Sequence, residues 1–521
     1  MSTPASAAAT NPEWAGERQN ITGEIGTAVR HTLVYGLGNV LGKFIGFLMI
    51  PFYTHYLNPT DYGILEILDL SMSLLGMFLA MGMTAAMLRC YAAAESDSQR
   101  QGVVGSAFLF AAVAGLTVFG LAVWAIRPIS ALIFGPKTPS IYLLISFSNF
   151  ILGYIVTVPK TYLRAREASA WFVGVETAGL IVMLVLNIVF IAFLKMGLMG
   201  ILCSSPIVVV LQLLIFTIWM LRRVPMRLSY AALHKMLAFG APLMFSNMAV
   251  FTLNFSDRFF LERLRSLEIV GIYAVGYKFG FMLNFLLVQP FYTMWQSRMY
   301  AIHKNPRHPA VFHQISVLYS LLLIFAALGL AVFSAEIVRF LVGRQFAACR
   351  NVIPVVALAY VFYGIAYMAQ TGMFLIDRTR LVGAIGAGAA ILNLGLNYFL
   401  IGRFGMMGAA WATALSFLAL ALACYIGSQS VYALRLGMGR VLVALALGTA
   451  LYFASRLVSA ESLPISLLAK TGLLAAFPVV IWNSGILSEE EAATILSAKT
   501  YLMGRISRPY AWGSRRVEDW E

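Results

Sequence analysis

Fourteen apolar stretches, separated by short polar loops, run through almost the whole chain. A helix needs about 20 predominantly apolar residues to cross the hydrocarbon core of a bilayer, and each stretch has roughly that length. Only 11% of the 521 residues are charged, too few to cover the water-facing surface of a soluble protein. We therefore predict an all-α polytopic membrane protein with about 14 transmembrane helices. The predicted spans are 31–57, 62–88, 104–126, 139–158, 171–194, 197–221, 236–260, 269–294, 313–334, 352–375, 381–401, 405–427, 437–456 and 464–485.

Lysine and arginine are unevenly distributed between alternate loops. If the N-terminus is cytoplasmic, the inside loops and the C-terminal tail hold clearly more of them than the outside loops. Because cytoplasmic loops of membrane proteins are enriched in these residues, both termini are predicted to be cytoplasmic. This distribution accounts for the net charge of +15, which therefore does not indicate nucleic acid. Residues 1–30 lack the apolar stretch of a signal peptide and are expected to form a cytoplasmic tail.

The chain also repeats itself at a fixed distance. The segment KMGLMG at 195–200 is echoed by RFGMMG at 403–408, and Gly63 and Gly271 are again 208 residues apart. This distance of 208 residues spans six predicted helices. Because six is an even number of crossings, the second repeat starts on the same side of the membrane as the first. The prediction is two parallel six-helix repeats around a central cavity, a design used by transporters. The six-helix lobes are 31–221 and 236–427, followed by two additional helices over 437–485.

The C-terminal residues 486–521 are expected to form a cytoplasmic amphipathic helix and a basic tail. Ser488 and Glu491 have the spacing of a capping box, which marks the start of a helix. Apolar residues follow at helical spacing, so this helix is predicted to lie at the membrane surface.

Two lysines lie deep within the apolar spans. Lys43 and Lys278 are each predicted to lie near the middle of the membrane, in the first helix of one half and the second helix of the other. A charge at such a depth costs about 2.5–3.5 kcal/mol on insertion scales, so it is expected to be paired or functional. The alternatives are a long side chain that reaches the interface, or a structural ion pair with a buried carboxylate.

Four acids within or at the ends of spans are candidate counter-ions or ion-coupling groups. Glu66 and Asp69 are three residues apart and should share one helix face. Asp257 precedes Arg258, and Asp377 precedes Arg378. Adjacent residues point to different faces of a helix, so each of these acids is expected to find its partner elsewhere. Structural ion pairs are the alternative for all four.

Several local motifs resemble those of a known family. They are PFYTHYLNPTDYGI at 51–64, MGMTAAMLRCYA at 81–92 with Arg89 and Tyr91, FGAPLMFSNM at 239–248, and DRFFLERLRSLEIVGIYAVGYK at 257–278. In order and spacing they resemble bacterial O-antigen and exopolysaccharide flippases. These form the polysaccharide transporter branch of the multidrug/oligosaccharidyl-lipid/polysaccharide exporter superfamily. Two features depart from the pattern: Asn58 stands where that branch more often has glycine, and fourteen helices exceed its common twelve.

The resemblance implies a non-enzymatic transporter in the bacterial inner membrane. It would flip a polyprenyl-pyrophosphate-linked oligosaccharide from the cytoplasmic to the outer leaflet by alternating access, for lipopolysaccharide or exopolysaccharide biosynthesis. H⁺ or Na⁺ coupling and association with glycan polymerase or export machinery are further expectations. On this interpretation Lys43 and Lys278 bind the pyrophosphate, and Arg89 contacts either the entering phosphate or lipid head groups.

Two other function classes are less compatible with the residues. An ion-coupled multidrug exporter of the same superfamily would need an acidic cavity rather than two lysines. A glycan polymerase or ligase would need a large outer loop, and no loop here is long enough to form a folded domain. The scattered cysteines and histidines show no metal-ligand spacing and no phosphate-binding loop occurs, so neither metal nor cofactor is expected.

Overall fold

The computed structural model describes residues 45–488 and 491–493, except for 81, 136–137, 167 and 459–462; the side chains of 169 and 241–247 also lie outside the description. Every regular element in this part of the chain is helical. Lys43, the N-terminal tail and the chain beyond residue 493 fall outside the described residues.

The first half contains ten helices, two of which belong to one predicted span. Gly82, with φ +65°, separates α2 from α3, so the predicted span 62–88 is broken. A short π-helical turn, Val189–Phe193, ends α7. The helices are α1 (45–56), α2 (Pro59–Ala80), α3 (Met83–Ala92), α4 (Asp97–Trp124), α5 (Ile126–Phe134), α6 (Ser140–Ala165), α7 (Ser169–Ile188), α8 (Leu198–Leu221), α9 (Tyr230–Leu264) and α10 (Leu267–Leu283).

The second half continues in the same manner. A π-helical turn, Asn284–Val288, joins α10 to the next helix, and a 3₁₀ segment, Arg344–Asn351, precedes α14. The helices are α11 (Gln289–His303), α12 (His308–Val332), α13 (Ser334–Leu341), α14 (Val352–Ala369), α15 (Thr371–Leu375), α16 (Thr379–Phe404), α17 (Met406–Val431), α18 (Met438–Leu457) and α19 (Leu463–Asn483).

Twelve helical segments of the described residues are long and apolar enough to cross a membrane. Each coincides with one of the predicted spans, which confirms the all-α polytopic class. Two predicted spans are not among these twelve segments. The span 31–57 is described only from Ile45 onward, and the span 236–260 lies within α9. The total of fourteen stays a prediction.

The chain divides into two compact units. Unit 1 comprises the residues up to Val275 with Leu341–Ala347, and unit 2 comprises Gly276–Phe340 with the residues from Ala348 onward. In unit 1, a core of buried side chains from α3, α4, α6, α8 and α9 surrounds Met87 and Val104. In unit 2, α14 is the central helix, since fourteen of its eighteen residues are buried. The predicted lobe limits at 221 and 236 stay predictions.

The internal repeat is visible in the backbone. Gly197 has φ 56° and ψ −133°, and Gly405, 208 residues later, has φ 58° and ψ −133°. Both stand immediately before a helix, in a conformation that glycine alone adopts without strain. In each half an asparagine of the preceding helix bonds a serine of the following one. Asn187 accepts from Ser204 at 2.7 Å, and Asn393 donates to Ser416 at 3.1 Å.

The repeat-related glycines of α2 and α10 contact each other within unit 1. A Cβ atom on Gly63 would lie 1.9 Å from the carbonyl oxygen of Leu267, and one on Gly271 would lie 1.9 Å from that of Pro59. Such distances are far below van der Waals contact with backbone atoms. The absence of side chains at both positions is therefore what allows the two helices to approach so closely.

Replacing Gly63 by alanine should destabilise unit 1. Because backbone rather than a flexible side chain opposes the added methyl group, we expect a loss of about 1–3 kcal/mol, typical of overpacking. The measurement is the thermal unfolding midpoint of the purified protein in detergent. Gly153→Ala is the matched control, since nothing lies within 4 Å of a Cβ there. Equal midpoints for the two variants would contradict the close-contact interpretation.

Candidate functional site

Lys278 lies inside a long candidate span, Leu267–His303, and its side chain is half-buried. It is eleven residues from the start of α10, or about 17 Å along the helix axis. Its neighbours Tyr277 and Phe279 are buried. The structure thus keeps this lysine within the apolar length of the helix, as the sequence predicts.

The backbone on either side of Lys278 is held by close packing against the α14 region within unit 2. A Cβ on Gly276 would lie 2.7 Å from the Cys349 carbonyl oxygen, and one on Gly280 would lie 2.6 Å from Val356 Cγ1. The hydroxyl groups of Tyr277 and Tyr360 hydrogen-bond at 2.6 Å. These contacts fix the helix turn that carries Lys278.

A buried ionic cluster lies in unit 1, around Arg258. Arg258 is 1% exposed, and its Nη1 donates to Asp257 Oδ1 at 2.6 Å and to the Asn254 carbonyl oxygen at 2.7 Å. Its Nε lies 3.8 Å from Glu66 Oε1. Tyr273 donates its hydroxyl hydrogen to the other Asp257 oxygen at 2.5 Å. We call Glu66, Asp257, Arg258 and Tyr273 the Arg258 cluster.

The Arg258 cluster corrects one expectation about sequence neighbours. Asp257 and Arg258 were expected to find separate partners, but they bond each other, because the long arginine side chain folds back along the helix. Arg258 also faces Glu66 of α2, so one guanidinium group forms ion pairs with two buried carboxylates. The signal available in the sequence was the position of Arg258 inside the predicted span 236–260, among the polar residues Asn254 and Ser256.

The other predicted residues that the structure describes, apart from Lys278, are exposed. Asp69 is exposed while Glu66 is 7% exposed, so the two acids do not share a buried face. Asp377 is exposed and has φ 57°, a turn conformation between α15 and α16. Arg89 is exposed, with its guanidinium carbon 4.5 Å from the centre of the Phe239 ring. Arg89 thus remains accessible to an anionic head group.

Two further ion pairs lie within candidate spans or beside them, and the sequence analysis missed both. Within unit 2, Lys470 Nζ of α19 is 2.5 Å from Glu336 Oε1 of α13, and the pair joins these two helices. Lys160 Nζ of α6 is 2.7 Å from Glu176 Oε1 of α7 in unit 1.

Unit 2 also contains a group of three tyrosines. Tyr292 lies on α11, which follows Lys278 in the chain, and Tyr363 and Tyr367 lie on α14. The rings of Tyr292 and Tyr367 stack with centroids 4.0 Å apart, and the Tyr363 and Tyr367 hydroxyl groups hydrogen-bond at 2.8 Å. Tyr292 and Tyr367 are half-buried. Partly accessible aromatic rings with hydroxyl groups are suited to contact sugar rings. Among the described residues, no group of three or more His, Cys, Asp or Glu is placed to hold a metal ion.

Two solved structures share this fold. The lipid II flippase MurJ in an inward closed conformation aligns with a TM-score of 0.67 at 14% identity, over 88% of this chain and 100% of that one. An inward-facing multidrug resistance MATE family transporter of the MOP superfamily aligns with a TM-score of 0.60 at 14% identity, over 74% and 93%. The chain therefore has the fold of these two multi-pass membrane proteins.

The family itself is shown by the sequence. The polysaccharide biosynthesis protein family matches residues 28–295, more than half of the chain, and this protein belongs to it. A segment of 97 residues is also 34% identical to the probable low-salt glycan biosynthesis flippase Agl15 of Haloferax volcanii. That segment is 19% of this chain and about a fifth, 21%, of that relative. The family confirms the resemblance indicated by the motifs.

Proposed function

We propose that this protein flips a polyprenyl-pyrophosphate-linked oligosaccharide from the cytoplasmic to the outer leaflet of the bacterial inner membrane. The product would supply lipopolysaccharide or exopolysaccharide biosynthesis. The family, the fold shared with a lipid II flippase, and the local similarity to a glycan flippase support this function. Transport proceeds by alternating access of a cavity that replaces water around the head group.

The observation that carries the proposal is Lys278, a half-buried cation within a candidate span. A pyrophosphate that crosses hydrocarbon needs positive charge along its route, because a bare anion in a low-dielectric medium is very unfavourable. An ammonium group is a compact charge with three donors on a flexible stem, so it suits a phosphate that must bind and then leave. Lys43 would supply a second cation from the first half, and Arg89 would meet the phosphate at the cytoplasmic entrance.

The tyrosines beyond Lys278 support the glycan part of the substrate. Tyr292 and Tyr367 lie on α11 and α14, and the chain leads from Lys278 into α11 through the π-helical turn. Aromatic faces and hydroxyl groups provide stacking and hydrogen bonds for a sugar, whereas Lys278 provides the charge for its phosphate.

The competing function is ion-coupled export of cationic drugs, for which the MATE-like fold is also suited. That function needs negative charge available to the drug. Two of the acids proposed as coupling groups, Glu66 and Asp257, instead face Arg258. The half-buried lysine would also repel a cation, so the charges favour an anionic substrate.

The test is transport by the purified protein in liposomes, with two classes of substrate compared. Wild type should flip a fluorescent polyprenyl-pyrophosphate oligosaccharide and should not move a cationic dye under a proton or sodium gradient. A lipid with the same oligosaccharide on a neutral linker should be flipped at least tenfold more slowly, about 1.4 kcal/mol in barrier. Dye export without glycolipid flipping would overturn the proposal in favour of drug export.

A further inference from the structure

A three-helix contact in unit 1 contains an ion pair that has no part in the phosphate route described above. Lys160 Nζ of α6 lies 2.7 Å from Glu176 Oε1 of α7 and donates to Gln212 Oε1 of α8 at 2.9 Å. It also lies 5.7 Å from the centre of the Phe216 ring. One ammonium group thus joins three neighbouring helices.

The surroundings of this ion pair are apolar. Val156 and Leu163, one turn to either side of Lys160 on α6, form a buried cluster with Phe216, and Phe172 and Val175 of α7 pack against it. Gln212 is 8% exposed and fits beside Gly179, where a Cβ would lie 2.4 Å from the Gln212 amide nitrogen. The polar groups therefore occupy a defined site rather than a random surface position.

Each polar group of the site lies inside its helix, and Lys160 is five residues from the end of α6, about 8 Å along the helix. Glu176 is seven residues from the start of α7, about 10 Å along the helix, and Gln212 is nine residues from the end of α8, about 14 Å. The exposed fractions of the Lys160 and Glu176 side chains are 20% and 31%, so the carboxylate is not sealed inside the protein. Ionisable residues at such positions commonly belong to ion or proton pathways.

We propose that Glu176 is the proton-binding group of a proton-coupled transport cycle and that Lys160 is its positioning residue. This inference rests on the proposed function and names the coupling ion and its site. In the described conformation the carboxylate pairs with the ammonium group. When α6 and α7 separate, the carboxylate loses its cation in apolar surroundings and takes a proton from water, because burial disfavours the charged form. When they approach again, Lys160 displaces that proton to water.

The geometry favours a proton over a sodium ion. Two oxygen atoms that could ligate a cation here, Glu176 Oε1 and Gln212 Oε1, both contact Lys160 Nζ already. A sodium ion would have to enter beside an ammonium group, whereas a proton needs only the carboxylate. Lys160 is the charged group that faces Glu176 from α6, and α8 contributes the neutral Gln212 and Phe216.

The exposed position of α7 is consistent with such a cycle. It is the least buried of the twelve candidate spans found among the described residues. Few contacts therefore oppose a small displacement of α7 from α6. Since the glycan is exported while protons run inward, the direction of coupling is antiport.

The first experiment measures the equilibrium distribution of a fluorescent polyprenyl-pyrophosphate oligosaccharide between the leaflets of proteoliposomes, with the membrane potential clamped at zero. For exchange of one proton, each unit of pH difference should shift the distribution about tenfold toward the acidic side. Glu176→Gln should still equilibrate the lipid but show no shift. Asp97→Asn, which alters an exposed acid of α4, should behave as wild type.

The outcomes separate this proposal from the proposed function. A pH-dependent shift that persists in Glu176→Gln, or flipping by wild type without any shift, would overturn the proton site and leave the flippase standing. If wild type moves no lipid, the flippase proposal fails, and the second experiment decides the proton site by itself.

The second experiment uses infrared difference spectra of the purified protein without substrate. Lys160→Met leaves Glu176 without its cation, so we expect a protonated carboxyl band at neutral pH. That band should be absent from wild type and from the Lys160→Met/Glu176→Gln double variant. If Lys160→Met lacks the protonated carboxyl band, proton binding at Glu176 is contradicted. The same conclusion follows if the double variant shows an equal band, whatever the stability of the variants.

Discussion

Lys278→Gln should reduce the rate of glycolipid flipping at least tenfold, while the protein remains folded. The substitution keeps the length of the side chain and removes its charge. A hydrogen bond to a charged group contributes about 1.5–3 kcal/mol, which corresponds to roughly 10- to 100-fold in binding or rate. The helix itself should be unaffected, because the contacts of Tyr277, Gly276 and Gly280 with the α14 region do not involve the lysine.

Two variants sharpen this prediction. Lys278→Arg retains the charge and should preserve much more activity than Lys278→Gln. Lys304→Gln removes an exposed lysine from the same unit and should leave the flipping rate unchanged. All proteins are compared at matched thermal unfolding midpoints. If Lys278→Gln flips as fast as wild type, Lys278 does not bind the pyrophosphate, although the flippase function would stand.

Arg258→Met should lower the stability of the protein by about 3–5 kcal/mol, because it removes the cation from a buried ionic group. Asp257 and Glu66 would then remain as buried carboxylates, with Tyr273 still bonded to the former. The expected observation is a large decrease in the thermal unfolding midpoint in detergent, together with lower yield of folded protein.

The matched control is Arg263→Met, since Arg263 is an exposed arginine on the same helix. The combined variant Glu66→Gln/Asp257→Asn/Arg258→Met removes all three charges and should recover part of the lost stability. Equal midpoints for Arg258→Met and Arg263→Met would show that the Arg258 cluster contributes nothing to folding. A stable Arg258→Met protein with altered ion dependence of transport would instead support ion coupling at Glu66 and Asp257.

The apolar pattern of the sequence predicts the helices well, because length and hydropathy are what a membrane span requires. The span predicted at 405–427, for instance, corresponds to α17, Met406–Val431. The capping box was also predictable from local spacing. The Glu491 carboxylate accepts the Ser488 N–H at 2.7 Å, and the Glu491 N–H donates to the Ser488 hydroxyl at 3.3 Å.

The contacts between helices were not predictable in the same way. Spans such as α8 are apolar around their whole circumference, so hydropathy does not determine how each helix is rotated. The burial of Arg258 and the pairing of Lys160 with Glu176 depend on that rotation. The break at Gly82 was missed for a similar reason, since its left-handed conformation is accompanied by close approach to Gly240.

The most direct test of the central claim is the rate at which purified wild-type protein transfers a fluorescent polyprenyl-pyrophosphate oligosaccharide between the leaflets of liposomes. The account predicts rapid equilibration that requires the protein and is inhibited by excess unlabelled lipid of the same kind. Transfer no faster than in protein-free liposomes, under every proton, sodium and potential gradient tried, would contradict it.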